Sequence, residues 1–127
     1  IPGVRVQAPG RLSDPQGYYS FHFIFDGAEF DGIDRWVINE ACAAEGVGIG
    51  NGTHGTVFHH KLFNLSPDKY RIFGGGCPVC DKISCERALG ITHQMMYYKE
   101  TAEQIGAVVR KVASNIDELR KYAESKK

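Results

Sequence analysis

The chain has 127 residues, 43% of them apolar and 24% charged, and fifteen lysines and arginines balance fifteen aspartates and glutamates to a formal net charge of zero. Those values suit one globular domain spanning residues 1–127, and the neutral balance gives neither a nucleic-acid footprint nor a basic membrane surface. No apolar run approaches the roughly 20 residues that span a bilayer, so no membrane partner is expected.

Ile1-Pro2-Gly3 has neither the charged leader nor the apolar core of a signal peptide, so a cytoplasmic location is expected. Cytosolic thiols stay reduced, which argues against a disulfide framework built from Cys42, Cys77, Cys80 and Cys85.

Residues 1–17 carry Pro2, Pro9 and Pro15 and little periodicity. They read as an extended arm with a short strand at Val4 to Gln7. The clearest strand runs from Gly17 to Gly27. Tyr19, Phe21, Phe23 and Phe25 alternate there with Tyr18, Ser20, His22 and Ile24, so one aromatic face should lie on a helix layer. Asp31 to Glu45 reads as a helix with Asp31 as N-cap and Gly46 as its stop. Its expected apolar face is Ile33, Trp36, Val37, Cys42 and Ala44, with Asp34, Arg35 and Glu45 outward.

Val47 to Ile49 reads as a short strand, Asn51 to Gly55 as a turn, Thr56 to Lys61 as a short extended piece, and Tyr70 to Phe73 as a short strand or an irregular segment. Cys80 to Leu89 looks helical, and Ile91 to Met96 reads as a strand or extended linker. Thr101-Ala102-Glu103-Gln104 has the form of a capping box. Ile105, Val108, Val109, Val112, Ile116 and Leu119 then draw one long helical stripe that must cover a sheet. Tyr122 to Lys127 reads as a fraying tail. The element order predicts an α+β sandwich.

Three segments bear on chemistry. Cys77-Pro78-Val79-Cys80, with Cys85 beyond it, reads as a connector with unpaired thiols, as a redox pair, or as part of a metal site. Zinc wants about four soft or imidazole ligands, and His54, His59, His60 or His93 would complete the set. Redox use wants the motif at a helix start, although no thioredoxin-like surroundings follow. His54, His59 and His60 flank a glycine-rich loop and are either solvated or contacts to a polar ligand. Gly50, Gly52 and Gly55 match G-x-G-x-x-G, but no βαβ unit surrounds them, so a dinucleotide site is rejected. His93 is either a packed core histidine or the residue facing a cleft.

Several segments in order carry a family resemblance. They are the aromatic strand ending in Asp26-Gly27; Asp34-Arg35 opening a helix that ends Ala44-Glu45-Gly46-Val47; Gly55-Thr56-Val57-Phe58 and Leu62-Phe63; Cys77-Pro78-Val79; Glu86-Arg87-Ala88 and His93; and Ile105 to Val112. From about Gly3 to Leu119 the chain resembles the small C-terminal domain of the DegT-type aminotransferases, pyridoxal-phosphate enzymes of fold type I that aminate keto-sugars and cyclitols. The resemblance implies a small, mostly antiparallel sheet with helices packed on it. It implies pyridoxal 5'-phosphate in the full-length enzyme, with the Schiff-base lysine on a large domain of the same polypeptide and no cofactor on this chain alone. It implies a homodimer for the full protein and inactivity for this part by itself. By position, Tyr19, His54, His59, His60 and His93 would face the substrate. The glycines before Cys77, together with Cys80 and Cys85, depart from the family pattern and keep a second reading, a small metal-binding interaction module on Cys77, Cys80 and Cys85.

Overall fold

The computed structural model describes residues 1–6, 19–50, 56–57, 60–63, 65 and 76–126. The expected turn at 51–55 and the expected strand at 70–73 lie outside them.

The centre of the sheet is β2, Ser20–Phe25, shorter than the sequence suggests at its N-terminal end. It pairs antiparallel with β1, Val4–Val6, on one side and with β3, Ala88–Thr92, on the other. The alternation works as expected. Phe23 and Phe25 are buried, and their cross-strand partners Val6, Val4 and Leu89 share their face. A strand's side chains alternate in direction, so this face alone collects the aromatic residues. Gly3 permits the close approach of β1 to the corner after β2: its φ is 71°, its carbonyl accepts from Asp26 N at 2.7 Å, and a Cβ there would lie 2.8 Å from the Phe30 ring.

After β2 a short 3-10 turn, Ala28–Phe30, drives Phe30 into the core edge-on to Phe25 at 5.4 Å. The first long helix, α1, is Arg35–Ala44. Its N-cap is Asp34, whose carboxylate accepts from Trp36 N at 2.8 Å. Asp31 instead closes the 3-10 turn and pairs with Arg87 at 3.2 Å. The helix ends as expected: Gly46 has φ 85°, Gly46 N donates to Ala43 O and Val47 N to Cys42 O, both at 2.9 Å. That is the Schellman arrangement, which needs a residue tolerant of positive φ.

The predicted face of α1 is partly overturned. Val37, Ile38 and Cys42 are buried, but so is Arg35, whereas Trp36 is 46% exposed. Arg35 turns inward because carbonyls of the covering segment need donors, as shown below. Val47 and Ile49 are buried without forming a strand, and Gly50 alone bridges Gly90, with both N–H groups donating at 2.9 Å.

The thiol-rich segment starts its helix earlier than predicted. Pro78 occupies the first turn of α2, Pro78–Asp81, where its missing N–H costs nothing. A π-helical stretch, Lys82–Arg87, follows, and the chain is already in β3 at Ala88. This segment lies on the sheet face opposite the phenylalanines, where Val79 and Ile83 share a small cleft with Ile24.

After β3 a 3-10 turn, His93–Met96, leads into α3, Lys99–Ser114. Thr101 lies inside this helix and caps nothing; the N-cap position is Tyr98, with no side-chain hydrogen bond. The stripe of Ile105, Val109 and Val112 is buried. The expected single helix is two. Asn115 interrupts it, its Nδ2 donating to Lys111 O at 2.7 Å, and α4, Ile116–Ser125, then buries Leu119 and Ala123. The tail is thus helical through Ser125, held to α1 by Tyr122 Oη donating to Glu40 at 2.8 Å. Helices α1, α3 and α4 close one core with the aromatic face of β2, an α+β fold built on a three-stranded antiparallel sheet.

Candidate functional site

The ladder between β2 and β3 fixes what meets at its open end. Ser20 pairs with Thr92, so the residues just outside, Tyr19 and His93, are forced side by side. His93 N donates to Tyr19 O at 3.0 Å. The two rings stack, with centroids 5.2 Å apart and planes 27° from parallel. The turn after β3 brings Tyr97 edge-on to the same imidazole at 5.7 Å. Tyr19 is 83% exposed, Tyr97 68% and the adjoining Tyr98 70%, while the His93 ring is half-buried between them. Its Nδ1 is buried and has no hydrogen-bond partner among the described residues. An unpaired buried nitrogen costs free energy unless a ligand or water satisfies it.

Chemically this is an aromatic platform with one polar atom at its base. The open faces of Tyr19 and Tyr97 offer apolar contact to a ring or stem, whereas Nδ1 is closed to solvent in this conformation and would meet a polar group only once the flanking rings part. Two of the residues expected to face a substrate are therefore in contact. His60 is not part of this group. It is half-buried in a local turn, where its Nδ1 accepts from Leu62 N at 3.2 Å and its ring lies 5.6 Å from Phe63. Those bonds are what a histidine supporting a turn would make. His54 and His59 lie outside the described residues.

Sequence reasoning missed Tyr97. The signal was its nearness in sequence: four residues beyond His93, it is folded back onto the imidazole by the 3-10 turn between them. It also missed Thr56, which is buried and donates its hydroxyl to Asp81 Oδ1 at 2.6 Å, tying the glycine-rich region to α2.

Cys77, Cys80 and Cys85 are free and exposed, and Cys42 is free and buried. Among the described residues no group of three or more His, Cys, Asp or Glu side chains converges to hold a metal ion. A groove of about 470 Å³ runs between α1, α3 and α4, away from the aromatic platform. Its polar lining is largely paired internally, Lys111 with Glu45 at 2.6 Å and Tyr122 with Glu40 at 2.8 Å, so it serves first to join helices. Among the described residues no helix is long and apolar enough to cross a membrane.

No protein-family model matches the chain, and no curated protein or solved structure shows significant similarity to it.

Proposed function

We propose that this chain is the substrate-facing small lobe of a pyridoxal-phosphate-dependent aminotransferase that transfers an amino group to a keto-sugar or cyclitol. The reading rests on the ordered motifs of the sequence and is supported by the α+β fold. One observation carries it at the site: Tyr19 stacks on His93, whose buried Nδ1 lacks a partner among the described residues. In this reading the tyrosine faces pack against the C–H face of the substrate ring, and binding parts the flanking rings so that the buried Nδ1 meets a ring hydroxyl.

The cofactor supplies an electron sink and a covalent hold on the amino group when bound. The described residues do not fit it. Lys61, Lys82, Lys99, Lys111, Lys121 and Lys126 all stand exposed, whereas a Schiff-base lysine needs a surrounding pocket. The reading therefore assigns the cofactor to a large domain of the same polypeptide, in a homodimer, and assigns this chain recognition and not chemistry.

The test is kinetic, on the polypeptide carrying both lobes. Replacing His93 by Ala should lower kcat/KM for the ketone acceptor about 10- to 100-fold, the loss of one oriented hydrogen bond and its packing. The visible absorbance of bound pyridoxal phosphate should be unchanged. A full-length polypeptide that neither binds the cofactor nor aminates any keto-sugar or cyclitol would sink the reading. So would stoichiometric hydride trapping of the cofactor on one lysine of this chain.

A further inference from the structure

We propose that Cys77 and Cys80 form a reversible intramolecular disulfide, making the start of α2 a thiol–disulfide exchange site whose co-substrate is a small disulfide of the glutathione class. The proposal stands apart from the aminotransferase reading and from the aromatic platform.

The local geometry carries it. Asp81 N donates to Cys77 O at 2.8 Å, so the first helical turn closes on Cys77 and returns the chain beneath it at Cys80. One such turn places the two Cα atoms about 5 Å apart, inside the window of roughly 4.4–6.8 Å that a disulfide spans. Pro78 presets the backbone between them. Cys77 itself, at φ −123° and ψ 75°, stands just outside the helical conformation, so its side chain is not bound to the helical direction. Both cysteines line one shallow hollow together with Pro78, Val79, Ile83 and Ser84. Both are exposed, and both are free.

The same facts select this pair over the others. Cys42 is 0% exposed in the core. Cys85 is exposed, lies in the π-helical stretch beyond α2 and does not line the hollow. On that side Cys80 meets Ser84 Oγ instead, at 3.7 Å.

The exchange balances in two steps. The thiolate of one cysteine attacks a sulfur of glutathione disulfide; that S–S bond breaks and one glutathione leaves as thiolate. The second cysteine's thiolate then attacks the protein sulfur of the mixed disulfide, and the second glutathione leaves. Two protein thiols lose two electrons, one glutathione disulfide gains them, and the two thiol protons pass to the departing glutathiones. Excess reduced glutathione reverses both steps. Ring closure fixes the turn whose next residue, Asp81, holds buried Thr56, so the oxidation state of the pair bears on the chain leaving the glycine-rich region.

The test equilibrates the protein in glutathione buffers of increasing disulfide content, quenches by alkylation and maps the cysteines by mass spectrometry. The expected result is loss of two of the four alkylatable thiols in one step, with a Cys77–Cys80 linked peptide and Cys42 and Cys85 still alkylated. Cys85→Ser should leave that step in place, and Cys80→Ser should replace it with a glutathione adduct retained on Cys77. Separate adducts on both residues of the unaltered protein would overturn the proposal. Linkage through Cys85 would do so too, as would two thiols that stay reduced in the most oxidising buffer.

Discussion

Arg35, the first residue of α1, donates through Nη1 to Ser84 O at 2.6 Å and to Ala88 O at 3.4 Å, pinning the far end of the π-helical stretch to the helix layer. Its guanidinium is buried, lies 4.9 Å from the Trp36 ring centroid and leaves Nε without a partner among the described residues. Charged donors in such a place hold carbonyls that would otherwise be orphaned. Arg35→Met should therefore lower the free energy of unfolding by about 1.5–3 kcal/mol, the range for a hydrogen bond to a charged group. The urea midpoint measures it, and an unchanged midpoint would remove Arg35 from the account of how β3 is anchored.

Helix capping separates two residues that look alike in sequence. Asp34 caps α1 through Trp36 N, so Asp34→Ala should cost about 1 kcal/mol. Thr101 sits within the first turns of α3 and caps nothing, so Thr101→Ala should change stability by no more than about 0.5 kcal/mol. Thermal unfolding of the two variants side by side decides it; equal losses would mean that α3 starts at Thr101 after all.

The contact of α4 with α1 should be visible as pH dependence. The Tyr122 hydroxyl, and then Lys126, hold the Glu40 carboxyl below its ordinary value of 4.5. A depressed carboxyl contributes stability above its unfolded pKa and loses it as pH falls through the folded one. Lys126 runs the other way: Tyr122 first and Glu40 next raise it above 10.5, so its contribution is lost only as pH rises beyond that. Tyr122→Phe should thus lower Tm near neutral pH, and the gap to the unaltered protein should close as pH drops below about 4. A gap of constant size down to that pH would show that packing and not charge joins the helices.

Cys42 supplies an alkaline limit. Burial, with Glu45 adding to it, pushes its thiol from 9.0 up to about 11. A raised folded-state pKa means stability fully present below the unfolded value and lost as pH rises through the folded one. Between pH of about 9 and 11 the protein should lose about 2–3 kcal/mol from this residue alone. Cys42→Ala should lack that slope, so its unfolding free energy relative to the unaltered protein should improve steadily over the interval. Parallel profiles would contradict the assignment.

Local patterns were legible where local forces decide. The alternation of Phe21, Phe23 and Phe25 named the buried face of β2, and Gly46 named the end of α1, because each follows from side-chain period or backbone freedom. Arg35 and Trp36 were assigned to the wrong sides because hydropathy does not record that two carbonyls 49 and 53 residues away require a donor. The break at Asn115 was hidden because Ile116 and Leu119 continue the apolar spacing past it; only the Asn115 bond to Lys111 O reveals the stop. Tyr19 and His93 were both readable as candidates, Tyr19 through the resemblance and His93 also from its place after the segment that became β3. Their stacking was not, since it depends on which residues of β2 and β3 lie opposite each other.

That opposition acts as a ruler. The distance between two rings 74 positions apart is set by counting rungs from Ser20 and Thr92 and not by any side-chain fit at the platform itself. A single residue inserted between Ser20 and Phe25 would leave every aromatic group in the protein yet turn one ring of the pair to the reverse side of the sheet. Length variation within one short strand is therefore a more direct way to rearrange this surface than any exchange of the tyrosines.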